Sequence, residues 1–244
     1  MSNQSSKKFI LSALQKGELE LQGQFVQGSN YTFMGNISHQ EEHWTVVYKP
    51  TRGEQPLWDF PAATLARREV VAYLVSEALG WELVPPTVYR RKGPLGPGSV
   101  QVFIEHDPEY HYFNFRQEHR DRLQPVVLFD LVINNADRKG GHIIIDANDH
   151  LWLIDHGVCF HVEDKLRTVV WDFAGQPVPD LWQHSLYTLI RRLDDPQDNL
   201  RSLLENLLST PEVNGISLRA HRLLESGCFP HPAPNRRPYP WPPV

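Results

Sequence analysis

The chain of 244 residues is long enough to bury a large core, either as one domain or as two packed lobes. Its 41% hydrophobic and 22% charged residues exclude a disordered or fibrous protein, and its net charge of -5 argues against nucleic acid as a partner. No apolar run approaches the ~20 residues that span a bilayer, and no convincing signal peptide is present. We therefore expect a cytoplasmic protein without a transmembrane segment.

The first third of the chain is predicted to be rich in β-strands. Short segments with β-branched or alternating residues predict strands over residues 18–26, 31–37 and 43–49. Gly28, Ser29 and Asn30 are turn formers between the first two of these strands.

A helix follows these strands. Its apolar residues recur at three and four positions, with Thr64 as the predicted N-cap, Leu79 near the end and Gly80 as the stop. Two more strands are predicted at residues 84–88 and 99–104, around a turn rich in glycine and proline. The predicted order of this region is therefore β-β-β-α-β-β.

Beyond residue 117 the pattern becomes mainly helical. A helix is predicted up to Ile133, and a short β-hairpin over residues 143–154. Three further helices are predicted near residues 179–193, 199–208 and 212–226. The last stretch, 229–244, is too rich in proline for a helix or a central strand. It is predicted either to lie extended on the surface or to be a recognition motif for a protein partner.

The strongest chemical signal is the polar loop that follows the apolar helix and contains Asp137 and Arg138. His142 begins a strand, and the next strand delivers Asp155 to a turn that ends at Gly157. Two acids in one hairpin neighbourhood suit phosphoryl transfer, in which one carboxylate acts on the acceptor and another holds a metal.

This segment resembles the catalytic loop and metal-binding turn of the phosphatidylinositol 3- and 4-kinase family, with the pattern D-R-x-x-x-N followed by I-D-F-G, and is distantly similar to HipA-like kinases. The resemblance implies that Asp137 is the catalytic aspartate, with Arg138 beside it. His142 and Asp155 would hold the metal. Two positions depart from the pattern, since His142 replaces asparagine and His156 replaces phenylalanine. The implied fold is α+β and two-lobed, protein-kinase-like, with a small β-rich N-lobe and a mainly helical C-lobe.

Such a kinase also needs a lysine on its third strand and a glutamate on the following helix, which together hold the α- and β-phosphates. Lys49 and Glu69 occupy these positions. The resemblance implies further nucleotide contacts from the first turn and from the backbone of the hinge between the lobes: Gly28, Ser29, Asn30, Phe103, Ile104 and Glu105.

We divide the chain into an N-terminal extension (1–17), an N-lobe (18–106), a C-lobe (107–228) and a proline-rich tail (229–244). The predicted activity is transfer of the γ-phosphate of ATP, with Mg²⁺ or Mn²⁺, to a hydroxyl of a lipid, a protein or a small molecule. Two alternatives stay open: a nucleotide-binding pseudokinase that acts as a scaffold, and a kinase-like enzyme that transfers AMP.

Overall fold

The computed structural model describes residues 3–25 and 30–244, and its N-terminal part is a five-stranded antiparallel sheet in the order β1-β2-β3-β5-β4. The strands are β1 (Glu18–Gln24), β2 (Phe33–His39), β3 (Glu42–Pro50), β4 (Thr87–Arg90) and β5 (Gly98–Val102). Side chains alternate along β3, so Val46 and Tyr48 are buried on one face while Val47 and Lys49 point to the other. This alternation directs Lys49 towards the second lobe.

A helix that the sequence analysis did not predict, α1 (Asn3–Lys16), covers one face of the sheet. Ala13 and Leu14 of this helix are fully buried and form a small core with Ile37 and Val46 of the sheet. The segment treated above as an N-terminal extension thus packs as part of the sheet lobe.

The helix predicted after β3 is α2 (Leu65–Leu79), and it ends at Gly80, whose φ of +71° is left-handed. Its N-terminus is capped differently from the prediction, because the Thr64 hydroxyl donates to a nearby carbonyl group. The Glu54 carboxylate accepts the first two helix amides, at 3.1 and 2.9 Å. A carboxylate at this end also complements the helix dipole.

The second lobe is mainly helical. It contains α3 (Gln117–Arg120), α4 (Gln124–Ile133), the hairpin β6 (Ile143–Ile145) and β7 (Leu151–Leu153), α5 (Asp180–Asp194), α6 (Leu200–Glu205) and α7 (Thr210–Ser226). The helix predicted to end at Ile133 is α4, and the short α3 precedes it. A sheet lobe followed by a helical lobe agrees with the predicted α+β class.

Helix α2 packs with the helical lobe. Its buried residues Val71 and Val75 belong to the same hydrophobic core as Leu128 and Leu189, whereas the sheet and α1 form a separate core. A buried ion pair adds a polar connection: Arg68 of α2 donates to Glu212 of α7 at 2.5 Å.

The proline-rich segment lies along the helical lobe. The carbonyl groups of Pro238 and Pro243 accept the amides of Thr168 and Gly140, at 3.0 and 2.8 Å. The position of the tail is thus set by main-chain hydrogen bonds, while Trp241 is 72% exposed. Within residues 3–25 and 30–244, every helix is too short or too polar to cross a bilayer.

Candidate active site

A cavity of about 450 Å³ lies between the sheet and the helical lobe. The predicted site residues that line it are Asn30, Lys49, Glu69, Phe103, Ile104, Asp137, His142 and Asp155. Of the others, Glu105 and Arg138 lie outside this lining, and Gly28 and Ser29 lie outside the described residues. The structure therefore gathers residues that are more than 100 positions apart in the chain, such as Lys49 and Asp155.

Lys49 is the centre of this arrangement. Its ammonium group donates a short hydrogen bond to Glu69 and lies 2.8 Å from Asp155 Oδ1. Burial disfavours the charged amine, but the two carboxylates outweigh this effect and raise the pKa of Lys49. The other oxygen of Glu69 accepts the main-chain amide of His156 at 2.9 Å. One glutamate on α2 thus holds both the lysine and the turn after β7.

Asp155 sits on a strained backbone, with a φ of +61° that non-glycine residues rarely adopt. Such conformations cluster where a side chain must be held in an unusual direction. In this conformation the carboxylate of Asp155 has two partners: Oδ1 faces Lys49, and Oδ2 lies 3.4 Å from His142 Nε2. The lysine charge keeps the pKa of Asp155 well below its usual range, so its side chain is ionised.

His142 is neutral in this environment. Burial lowers its pKa to about 4, although the nearby Asp155 carboxylate opposes the shift. A neutral imidazole and an ionised carboxylate side by side are ligands suited to a divalent cation. These two residues could therefore hold a metal.

Asp137 also lines the cavity, from the loop after α4. Its main-chain amide donates to Asn135 Oδ1 at 2.9 Å, which fixes the turn. Burial raises the pKa of Asp137 to about 6, against the influence of Lys139, whose amine lies 3.8 Å away. A carboxylate with a raised pKa is a stronger base than an exposed one.

Arg138 lies behind this loop and is fully buried. Its guanidinium donates to Asp130 at 3.0 Å, to the Ile154 carbonyl at 2.9 Å, and contacts His156 Nε2 at 2.8 Å. It thereby joins the loop of Asp137 to the strand that delivers Asp155. The sequence analysis missed Asp130, although an acid within the apolar helix α4 is itself a signal that a buried cation lies nearby.

The hinge leaves the Ile104 amide available as a donor. The amides of Val102 and Phe103 are used by Pro86 and Thr45 carbonyls, at 3.0 and 2.9 Å. Within the described residues, no protein group accepts the Ile104 amide, and Ile104 lines the cavity.

Comparison with known proteins identifies the family of this chain. The family model for phosphatidylinositol 3- and 4-kinases matches residues 63–209, which include Glu69, Asp137, His142 and Asp155. The chain belongs to the phosphatidylinositol 3- and 4-kinase family. Family membership makes this protein a kinase, an enzyme that transfers phosphoryl groups.

Two curated proteins extend the comparison beyond the matched region. This kinase is 37% identical to Protein Rv2133c of Mycobacterium tuberculosis, over 95% of this chain and 94% of that protein. It is 32% identical to phosphatidylinositol 4-kinase gamma 4 of rice, Oryza sativa subsp. japonica, over 46% of this chain and 23% of that one.

Solved structures confirm the predicted two-lobed, kinase-like fold. The Golgi casein kinase with Mn/ADP bound superposes with a TM-score of 0.59 and 13% identity, over 92% of this kinase and 76% of that chain. Hydra Fam20 with sugar gives a TM-score of 0.59 and 12% identity, over 93% of this kinase and 90% of that chain. The Helicobacter pylori proinflammatory kinase CtkA gives a TM-score of 0.53 and 12% identity, over 88% of this kinase and 94% of that chain.

Proposed function

We propose that this family member is an ATP- and divalent-metal-dependent kinase that transfers the γ-phosphate to a hydroxyl group. The observation that supports this most directly is the Lys49 amine, shared by the Glu69 and Asp155 carboxylates inside the cavity that Asp137 also lines. A half-buried cation held by two acids could exchange one of them for phosphate oxygens.

The base of the nucleotide would sit at the hinge. The Ile104 amide is an unused donor there, and it would bind a ring nitrogen of adenine. Phe103 lines the same end of the cavity and supplies apolar surface. Asn30 would approach the phosphates from the turn before β2, where its Oδ1 is held by the Gln55 amide at 2.7 Å. Gly28 and Ser29 remain proposed phosphate contacts.

His142 and Asp155 would hold the metal, because the structure presents them as a neutral imidazole and an ionised carboxylate on the cavity wall. Within residues 3–25 and 30–244, no group of three or more His, Cys, Asp or Glu side chains gathers as a metal site. Phosphate oxygens and water would therefore complete the coordination, as is usual for Mg²⁺ at nucleotide sites. A bound cation would neutralise negative charge on the transferred phosphoryl group.

Asp137 would act on the acceptor. Its carboxylate takes the proton from the acceptor hydroxyl as the hydroxyl oxygen bonds to the γ-phosphorus, and the bond from that phosphorus to the β–γ bridging oxygen breaks to release ADP. Arg138 is fully buried and does not line the cavity, so we assign it to positioning rather than to contact with substrate.

Asp155→Asn tests this proposal. The amide has the same size but neither binds a hard cation as well nor neutralises Lys49. Thermal shift with ATP and Mn²⁺, followed by ATP turnover and mass spectrometry of the products, should show metal-dependent nucleotide binding and phosphate transfer in the parent protein. We expect turnover to fall at least ~100-fold in the variant. The matched control is Asp194→Asn, the same chemical change at an exposed position of α5.

Each other outcome has a distinct meaning. No nucleotide binding by the parent protein contradicts the proposal. Binding without turnover favours a scaffold, and a mass gain of AMP favours the AMP-transferring alternative. Equal turnover in the parent protein and Asp155→Asn removes Asp155 from the metal site.

A further inference from the structure

A second cavity, of about 350 Å³, lies within the helical lobe. Its walls come from the end of α4, from α7, from the loop at residues 162–171 and from the tail at residues 230–236. The described linings of this cavity and of the kinase cleft share no residue. The proposed reaction gives this cavity no role.

The lining of this cavity combines an apolar body with positive charge. Leu131, Leu166 and Leu218 are among its apolar residues. Its charged residues, within the described lining, are three arginines and one acid: Arg219, Arg222, Arg236 and Asp164. Because there are three positive charges and one negative charge, the lining has an excess of two positive charges.

The acid is already paired. The Arg236 guanidinium donates to Asp164 Oδ1 at 2.7 Å and to the Asp164 carbonyl at 2.6 Å. Arg219 donates through Nε to the Val132 carbonyl at 2.8 Å, which orients the guanidinium but leaves its charge unneutralised. Burial accordingly lowers the pKa of Arg219 to about 10, and the group stays cationic at neutral pH.

Unused donors concentrate at this place. Five buried side-chain nitrogens lack a hydrogen-bond partner among the described residues, and three of them belong to the lining: Trp171 Nε1, Arg219 Nη2 and Arg236 Nε. A buried donor without a partner is destabilising, because its desolvation is not compensated by a hydrogen bond. Three such donors around one cavity are explained if a ligand supplies acceptors.

We infer that this cavity binds a small amphiphilic oxyanion, a carboxylate or a phosphate monoester attached to an apolar body. Guanidinium groups match both oxyanions in planar, paired hydrogen bonds. The leucine side chains supply a surface for the apolar body, and the volume falls within the range of small-molecule sites. The three nitrogens are covered in the structure, so the side chains of Trp171, Arg219 and Arg236 would turn towards the cavity when the ligand enters.

The site adjoins the kinase centre through the chain. Asp164, Leu166 and Trp171 belong to the loop that follows the turn of Asp155, and Asn134 ends the helix before Asp137. A bound oxyanion would therefore stabilise the loop in its present position. The inference rests on this cavity alone and does not depend on the proposed phosphoryl transfer.

Calorimetric titration of the full chain tests the inference, with phenyl phosphate and benzoate as probes. Benzyl alcohol is the neutral analogue, and inorganic phosphate lacks the apolar body. We expect at least one of the two amphiphilic oxyanions to bind at least about tenfold more tightly than either control, because benzyl alcohol lacks the charge that strengthens a hydrogen bond to guanidinium and inorganic phosphate lacks the apolar body. The ratio of the two affinities identifies the oxyanion that the site prefers.

Three variants locate the binding. Arg222→Gln changes an exposed side chain, Trp171→Phe removes only the indole donor, and Arg219→Gln removes the most buried charge. Each should weaken oxyanion binding several-fold or more, whereas Arg191→Gln on exposed α5 should not. Even if Arg219→Gln fails to fold, the other two variants decide the matter. The inference is overturned if oxyanion binding is unchanged in both Arg222→Gln and Trp171→Phe. It is also overturned if benzyl alcohol binds equally tightly, or if ATP abolishes oxyanion binding by competition.

Discussion

The raised pKa of Asp137 predicts the shape of the pH–activity profile. If its carboxylate accepts the proton of the acceptor hydroxyl, turnover must fall as pH drops through the pKa, because the protonated acid cannot act as a base. Burial places that pKa at about 6. A group with this pKa is about 91% ionised at pH 7 and about 9% ionised at pH 5. Turnover should therefore fall about tenfold between these two pH values.

Lys139 provides the perturbation that identifies the group. Its amine lies 3.8 Å from Asp137 and favours the ionised carboxylate. A partly exposed ion pair of this kind contributes up to about 1 kcal/mol, which corresponds to about 0.7 pH unit. In Lys139→Gln the acid limb of the pH–activity profile, where turnover falls with pH, should move to higher pH by up to this amount. Lys139→Arg keeps the charge, so the acid limb of its profile should stay close to that of the parent protein.

The assay is kcat/KM for ATP consumption from pH 4.5 to 8, at low and at saturating metal. Metal concentration should leave the acid side of the profile in place, because protons compete with metal for His142, with its pKa of about 4, only at lower pH. A limb that moves with metal concentration, or that stays fixed in Lys139→Gln, would refute the assignment to Asp137.

Three other predictions follow from the contacts of the cleft and of α2. Lys49→Met should reduce ATP turnover by at least ~100-fold. Glu69→Gln should reduce it by less, because the amide oxygen can still accept a hydrogen bond from Lys49. Equal losses of turnover in steady-state assays would contradict this order. His142→Asn should lower the Mg²⁺ concentration needed for half-maximal turnover relative to Mn²⁺, since an amide oxygen is a harder ligand than imidazole, and metal titrations will decide. Arg68→Met should lower the free energy of unfolding by about 3 kcal/mol, because Glu212 is left as a buried charge without its partner; a loss below about 1 kcal/mol in urea denaturation is the contrary result.

The contents of the cleft were largely predictable. Lys49 follows an alternating strand, Glu69 lies early in a periodic helix, and Asp155 follows a second apolar strand. Their order along the chain matches one family pattern on the expected local elements, which is why sequence alone could predict that these distant residues meet. Their chemical roles stay predictions.

Long-range contacts could not be predicted in the same way. The sequence places Arg138 next to Asp137 but does not say which side of the loop its side chain takes, and only the structure shows Asp130 as its partner. Glu54 caps α2 from eleven positions before Leu65, beyond the reach of local capping rules. Helix α1 was missed because its apolar residues form one short run over residues 9–14 rather than a repeat along the helix, and its stabilisation comes from packing against the sheet.

The attachment of α2 to the helical lobe has a consequence for regulation. Kinases that are switched by swinging this helix need it to detach from the rest of the protein. Here that motion would break the buried pair between Arg68 and Glu212 and expose Val71 and Val75, which belong to the main core. Glu69 is therefore held in place by folding itself, which disfavours control by movement of this helix.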